Sequence, residues 1–170
     1  MRSWLLFSAL FAAALGGCAT APPPPPEPPP PPARDRVGEL RAAAAQTPSR
    51  VEVAPLQDPS VGFLINEADK AETAGDFSAA LRHLEDALSI EPDNPHLLQR
   101  KAESLLAKGD YLAAEKWAMK SYDNGAQVGQ WCVRNWLLIA QTRDALGDAA
   151  TVAAATERAK GCPVLAKPRF

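Results

Sequence analysis

The hexapeptide GDFSAA at residues 75–80 returns as GDYLAA at residues 109–114, so its glycine, aspartate, aromatic and paired alanine positions recur 34 residues apart. A third glycine–aspartate pair follows at 147–148, 38 residues after the second, which indicates an insertion of about four residues near 125–130. A fixed period of this size is the signature of repeat architectures. The folded part of the chain is therefore predicted to be three copies of one unit.

Each unit is predicted to be two helices joined by a glycine turn. From Phe77 to Leu88, apolar residues recur at spacings of three and four, which places them on one side of a helix. Ser60 is predicted to cap the preceding helix, 61–74, and Gly75 to supply the left-handed turn that ends it. The later helix ends carry similar signals, at Gly109, Gly125, Gly147 and Gly161. The pattern predicts an all-α fold of six helices in three antiparallel hairpins.

Thirty-four residues is the period of the tetratricopeptide repeat, and the copies at 61–94 and 95–128 resemble that family. The copy at about 133–166 matches less well, since Arg143 stands where the family has a tyrosine. Residues typical of the signature positions in the first copy are Leu64, Ala68, Ala71, Ala80, Leu84, Ala87 and Pro92. The resemblance implies a short right-handed α-solenoid in which the first helix of each repeat lines a concave, partner-binding groove.

Carried over to this chain, the resemblance implies that polar residues from all three repeats share the groove. They are Asp69, Glu72, His96, Gln99, Glu103, Arg134, Gln141 and Asp144. Ile65 and Asp69 stand where the family's carboxylate clamp has lysine and asparagine, so a C-terminal carboxylate is not the expected ligand. The first repeat has eight acidic residues against Lys70 and Arg82, which favours either a basic partner or a solvated charged face.

The N-terminus is predicted to be an export signal. Met1-Arg2 precedes an apolar run at 4–15 that is too short to cross a bilayer, since a spanning helix needs about 20 residues. The run ends in LGGC at 15–18, which resembles the lipobox of bacterial lipoproteins. The resemblance implies cleavage before Cys18, acylation of that cysteine with palmitate and, because Ala19 follows, sorting to the outer membrane. The alternative is ordinary cleavage after an A-x-A site at 19–21, which removes Cys18.

Ten of the chain's 17 prolines lie at 22–32, which predicts a polyproline II rod of about 34 Å at about 3.1 Å per residue. The following residues up to 59 are expected to have little stable order, although 34–46 can form a transient helix with Val37, Leu40 and Ala44 on one side. The rod is expected to be a spacer, or alternatively a ligand for an aromatic groove. The predicted organisation is a signal peptide at 1–17, an acylated cysteine and disordered Pro-rich tether at 18–59, the repeat domain at 60–162 and a tail at 163–170.

Cys132 and Cys162 lie 15 residues before and 15 residues after Gly147, so they lie level in an antiparallel hairpin. In an oxidising compartment this placement predicts a disulfide, and two buried free thiols are the alternative. Trp131 lies in the insertion, where it either anchors a partner or packs against Trp117 or Tyr122.

Neither catalysis nor a cofactor is expected from the composition. A net charge of −2 excludes a strongly basic nucleic-acid binder. The chain contains no glycine-rich phosphate loop, no H-E-x-x-H and no G-x-S-x-G motif. Two histidines and three cysteines offer little for a metal site, and His96 is the one groove residue with the chemistry of an acid or base.

The run RNWLLIA at 134–140 resembles the LpoP-type activators of class A penicillin-binding proteins. The resemblance implies a monomeric adaptor, anchored in the outer membrane and facing the periplasm, that binds the periplasmic domain of a peptidoglycan synthase. Its 41-residue tether, 19–59, can extend to about 125 Å, and this reach motivates the hypothesis of an activator that contacts an inner-membrane synthase. The alternative is a pilotin, an assembly factor for a type IV pilus or secretion secretin.

Overall fold

A computed structural model describes residues 34–47 and 58–162, and every regular element within them is an α-helix. The helices are α1 (Arg36–Ala45), α2 (Pro59–Thr73), α3 (Phe77–Ile90), α4 (Pro95–Lys108), α5 (Tyr111–Asn124), α6 (Gly129–Ala145) and α7 (Ala149–Lys160). Helices α2 to α7 form three hairpins that stack in chain order. The predicted all-α solenoid of three hairpins is confirmed. Cys18, the rod at 22–32 and the tail at 163–170 lie outside the described residues.

The glycine–aspartate pairs end one helix and begin the next. Each glycine has a φ between +76° and +88°, a conformation that a residue with a Cβ rarely adopts. Each aspartate side chain then accepts a hydrogen bond from the backbone N–H three residues later, which caps the following helix. The pairs are Gly75-Asp76, Gly109-Asp110 and Gly147-Asp148. The repeated motif is therefore the hairpin turn itself.

The start of α2 differs from the prediction. Asp58 caps the helix instead of Ser60, because its carboxylate accepts the Ser60 N–H at 2.7 Å. Pro59 then occupies the first helical position, where its missing N–H removes no intrahelical bond. The helix consequently begins two residues earlier than expected.

Small residues allow the helices within each hairpin to approach closely. Ala68, Ala102 and Ala140 are at most 7% exposed and lie in the first helix of their respective hairpins. Ala68 belongs to a core cluster within the first hairpin and the start of α4. Ala102 and Ala140 belong to a larger cluster that extends from Leu81 of α3 to α7 and also includes α1.

A disulfide joins Cys132 and Cys162, whose Cα atoms are 5.7 Å apart. It links the first turn of α6 to the residue after Gly161, at the end of the third hairpin opposite its Gly147 turn. The Gly129 N–H also donates to the Cys162 carbonyl oxygen at 2.6 Å. The insertion before α6 is therefore held to the end of the domain by both a covalent and a hydrogen bond.

The expectation of little stable order before residue 59 is wrong for Arg36–Ala45, which form α1 and pack against α4 and α6. Leu40 is 1% exposed and Ala44 is fully buried, so the apolar side predicted for a transient helix faces the core. A helix of ten residues is marginal in water on its own. Burial of that side, together with the contacts described below, explains why α1 is ordered here.

Candidate functional site

The first helices of the three hairpins, α2, α4 and α6, form one face of the solenoid, which we call the groove. Helix α1 lies in it, against α4 and α6. Its beginning is near the end of α6, where Arg36 contacts Asp144, and its later residue Arg41 contacts Glu103 on α4. Since Glu103 also binds Arg134 near the start of α6, α1 runs antiparallel to α6. The chain thus occupies its own predicted partner-binding groove.

Glu103 is the central carboxylate of the groove and is fully buried. Its Oε2 accepts a hydrogen bond from Arg41 Nε of α1 at 2.7 Å, and its Oε1 accepts one from Arg134 Nε of α6 at 2.9 Å. Gln99, also fully buried, donates to the same Oε1 at 3.1 Å. A buried charge is tolerated only when it is paired and hydrogen-bonded. Glu103 therefore joins three helices and is not free to bind a ligand.

Glu72 and Asp69 connect α2 to the rest of the groove. Burial raises the pKa of Glu72, but Arg100, the Ser104 hydroxyl and Arg41 together lower that pKa below its usual value. Ser104 Oγ donates to Glu72 at 2.8 Å, and Arg41 lies 3.3 Å from the same carboxylate. Asp69 pairs with Arg100 at 2.5 Å and stays half exposed. These contacts hold Glu72 in its charged form between α1 and α4.

Gln141 and Asp144 bind the beginning of α1. Arg36 donates to Asp144 at 2.5 Å and to the Gln141 side-chain oxygen at 2.9 Å. Arg34 also donates to Asp144, at 3.0 Å, while Gln141 donates to Glu39 at 3.3 Å. The hydrogen bond from Arg36 lowers the pKa of the Asp144 carboxyl below its usual value. Asp144 is nearly half exposed, so its contact with Arg36 lies at the solvent-exposed edge of the α1 site.

His96 lies apart from α1, in an aromatic stack. Its ring is 4.0 Å from that of Trp131, and the planes are nearly parallel. The Arg134 guanidinium lies 4.5 Å from the Trp131 ring centroid. Trp131 therefore packs within the domain, as one alternative held, but against His96 and Arg134. The partners proposed for it make other contacts, Trp117 with Lys101 and Tyr122 with Trp136.

The predicted groove residues thus fall into two sets. Glu72, Glu103, Gln141 and Asp144 bind α1 directly. The other four contact side chains of α4 and α6: Asp69 pairs with Arg100, His96 stacks on Trp131, and Gln99 and Arg134 bind Glu103. Sequence reasoning missed the arginines on the opposite side of these contacts, Arg34, Arg36 and Arg41. Their signal was present, because Arg36 and Arg41 flank the apolar side that was predicted for this segment.

Half of the acidic residues of the first repeat form ion pairs with the second repeat. Four of its eight acidic residues pair with basic side chains of the next hairpin. The pairs are Asp69 and Glu72 with Arg100, Glu85 with Lys101, and Asp93 with Lys120. The charge imbalance therefore serves contact between repeats, which weakens the case for a basic partner on the first repeat alone.

Helix α1 leaves part of the groove open. A cavity of about 530 Å³ lies between α1, α2 and α4. Its lining includes Asp35 and Val37 of the α1 segment, Thr73 of α2, Phe77 at the start of α3, and Ala107 of α4. The groove is therefore wider than the helix that occupies it.

None of the helices in 34–47 and 58–162 has the length and apolar character needed to cross a membrane. Within the same residues, no group of three or more histidine, cysteine or acidic side chains is arranged to hold a metal ion.

Comparison with known proteins agrees with this architecture. The sequence profile of the tetratricopeptide repeat matches residues 71–120. The structure of the globular C-terminal domain of P. aeruginosa LpoP superimposes with a TM-score of 0.59 and 33% sequence identity, covering 62% of this chain and 99% of that one. The chain belongs to the LpoP family of tetratricopeptide-repeat proteins. A search of the curated proteins finds no match. The tetratricopeptide and LpoP-like folds are protein-interaction folds, which supports a protein partner for this chain.

Proposed function

We propose that this protein is a periplasmic adaptor that activates a class A penicillin-binding protein. The similarity to LpoP, which extends over 99% of that domain, carries the proposal. The LpoP-type group, which residues 134–140 also resemble, consists of activators of such synthases. The adaptor acts as a monomer, needs no cofactor and works by binding.

The same proposal includes a lipid anchor in the outer membrane. Cleavage before Cys18 and acylation of that cysteine fix the chain to the inner leaflet, because a multiply acylated residue anchors stably. Residues 18–33 then connect the anchor to α1, and the signal peptide, 1–17, is absent from the mature chain. The matched test is C18S, which is expected to move the protein from the membrane fraction to the soluble periplasm.

A binding role for His96 fits its surroundings better than a catalytic one. Its ring stacks on Trp131, a contact that fixes its position but supplies neither a nucleophile nor a substrate. Trp131 is in turn covered by Arg134, which holds the buried Glu103. H96F, which keeps the stack and removes the titrating nitrogens, is therefore expected to preserve activation.

The deciding experiment is glycan polymerisation by a purified class A penicillin-binding protein, with and without this chain. We expect a several-fold higher rate with the chain present, because an activator changes the synthase and not its location. A variant lacking 22–32 is the matched control: it should activate equally in solution and fail in cells, where reach matters. An unchanged rate in solution would contradict the proposal.

In-cell crosslinking followed by mass spectrometry supplies an independent check. Recovery of a bifunctional peptidoglycan synthase is the expected result. Recovery of a secretin or pilus component in its place would refute the activator proposal and favour the pilotin alternative.

A further inference from the structure

We propose that the groove is a binding site for a basic amphipathic helix and that α1 is its displaceable internal ligand. This inference rests on the proposed function, because it specifies what kind of segment a protein partner has to offer. It goes further in assigning a role to a segment of the tether itself.

The contacts of α1 define what the groove recognises. Leu40 and Ala44, four residues apart, are buried in the core cluster, and Val37 packs at its edge. Arg36 and Arg41 border this apolar side and reach the carboxylates of Asp144 and of Glu103 and Glu72 respectively. A matching partner helix therefore has arginines five positions apart and apolar residues one, four and eight positions after the first arginine, with a leucine-sized side chain at the middle position.

Several features of α1 point to a replaceable occupant. The helix has ten residues, too few for stability on its own, so its order depends on docking. Ala42, Ala43 and Ala45 are exposed, so only one side of the helix is held. The open cavity of about 530 Å³ beside α1 shows that the groove accommodates more than α1 supplies.

The groove also keeps its own internal pairs when α1 leaves. Glu103 retains Arg134, and Glu72 retains Arg100 and the Ser104 hydroxyl. When α1 leaves, Glu103 and Glu72 therefore each keep a cationic neighbour. Asp144 loses Arg34 and Arg36 but is nearly half exposed, so water can solvate its carboxylate. A groove whose buried carboxylates stay paired can exchange one arginine-bearing helix for another.

Displacement of α1 would change the reach of the tether. With α1 docked, the free chain between Cys18 and the domain is 19–33, which extends to about 46 Å at about 3.1 Å per residue. With α1 released, the free chain is 19–57, because Asp58 caps α2, and it extends to about 120 Å. A partner helix that takes the groove thus also lengthens the tether.

The affinity that a partner needs follows from the connection between α1 and α2. Residues 48–57 join the two helices, and a linker this short gives α1 an effective concentration on the order of millimolar in the groove. A helix of the same intrinsic affinity therefore binds the intact chain poorly until the internal helix is weakened.

The test uses a fluorescent peptide of residues 34–47 titrated into the full chain and followed by anisotropy. We expect weak binding to the wild type and at least about tenfold tighter binding to R41A, whose own α1 has lost its bonds to Glu103 and Glu72. R82A is the matched control, since it removes an exposed arginine of α3, and should bind like the wild type. A peptide with both Arg36 and Arg41 changed to glutamate should not bind any variant.

Equal peptide binding to wild type, R41A and L40D would overturn the proposal, because α1 would then be a permanent part of the domain. Amide hydrogen exchange on the wild-type chain gives a second measurement that needs no variant to fold. We expect α1 amides to exchange at least about 100-fold faster than those of α4. Equal protection of α1 and α4 would also overturn the proposal.

The peptide experiment contains no synthase, so its outcome separates the two proposals. Peptide binding without activation of any class A synthase would leave the groove assignment standing and remove the proposed function. Activation of a synthase by a chain whose groove binds no peptide would support the proposed function and remove the groove assignment.

Discussion

Helices α1 and α7 are similar in length and composition, yet they are attached to the domain in different ways. Both are alanine-rich, both pack on α6, and both bury two residues four positions apart, Leu40 and Ala44 in α1 and Ala155 and Ala159 in α7. Helix α7 follows α6 after a three-residue turn, and a disulfide links its end back to the start of α6. Helix α1 is about 100 residues from α6 in sequence and is held by arginine–carboxylate pairs.

The comparison shows that burial alone does not determine whether a short helix is permanent. The buried pair of α1, a leucine and an alanine, is larger than the two alanines of α7, so burial does not explain the tighter attachment of α7 and the difference lies in how each helix is connected. A short turn and a covalent bond keep α7 in place in every folded molecule. Helix α1 has no covalent link to α6 and depends on ion pairs. Those to Asp144 are partly exposed and contribute little, whereas the one from Arg41 reaches the buried carboxylate of Glu103. We therefore expect α1 to respond to substitutions and pH that leave α7 unaffected.

The largest effect is expected where α1 and α6 share Glu103. E103Q leaves Arg41 and Arg134 without the charge that they surround, and breaking a buried pair costs about 3–5 kcal/mol. Urea unfolding of the full chain measures the loss. E85Q is the control, because Glu85 pairs with Lys101 but is 57% exposed, and its expected cost is below about 1 kcal/mol. Similar costs for the two variants would show that Glu103 is not the centre of the groove.

Removal of the disulfide should allow α7 to detach from α6 more readily, as is expected of α1. For two cysteines 30 residues apart, the chain-entropy model gives a loss of about 3–4 kcal/mol in the free energy of unfolding. Unfolding of the wild type with and without reductant, and of C132S/C162S, measures it. Reduced wild type and the double variant should agree. A change below about 1 kcal/mol would mean that the hairpin turn alone keeps α7 in place.

L40A tests α1 from the apolar side. A buried leucine replaced by alanine costs about 2–5 kcal/mol when the element cannot leave, and L138A in α6 is the reference for that case. Leu40 is as deeply buried, but α1 can undock, so its cost is limited to the free energy of docking and is expected to be about 2 kcal/mol or less. Equal costs, with α1 amides still protected, would indicate a permanent α1.

Much of the fold could be predicted because its determinants are local and repeated. The Gly-Asp turns specify each hairpin, and the position of Cys132 and Cys162 about Gly147 follows from equal rise along two helices. The apolar side of α1 was also visible in sequence. Its docking was not, because it depends on pairs such as Arg36 with Gln141, 105 residues apart, which no period reveals.

The site was predicted in its position and not in its occupancy. Helical register places Glu72, Glu103, Gln141 and Asp144 on one face, and they do lie there. Register does not give depth, so the full burial of Glu103 and the half exposure of Asp144 could not be distinguished. Nor does it show that a segment outside the repeats fills the face. The sequence therefore predicted an open groove, whereas α1 occupies it.

The smallest expected effect is that of low pH, which should weaken the docking of α1 and leave α7 in place. Hydrogen bonds from arginines lower the pKa values of Asp144 and Glu39 in the folded chain, and Arg100, Ser104 and Arg41 outweigh burial to lower that of Glu72. A carboxylate with a lowered folded pKa stabilises the fold fully above its unfolded pKa, about 4–4.5, and loses that contribution as the pH falls through the folded pKa. Docking of α1 should thus be constant above about pH 5 and weaken below about pH 4.

Methyl NMR can follow both helices in one sample. The Leu40 and Ala44 methyl signals should move toward undocked positions below about pH 4, while those of Ala155 and Ala159 stay in place because the disulfide does not titrate there. Asp148, whose pKa is lowered by Thr151, caps α7, so a small loss at the start of that helix is compatible with this outcome. In D144N the α1 signals should already be partly shifted at pH 7. Simultaneous movement of all four methyl groups would mean that the domain unfolds as one unit and that α1 is as permanent as α7.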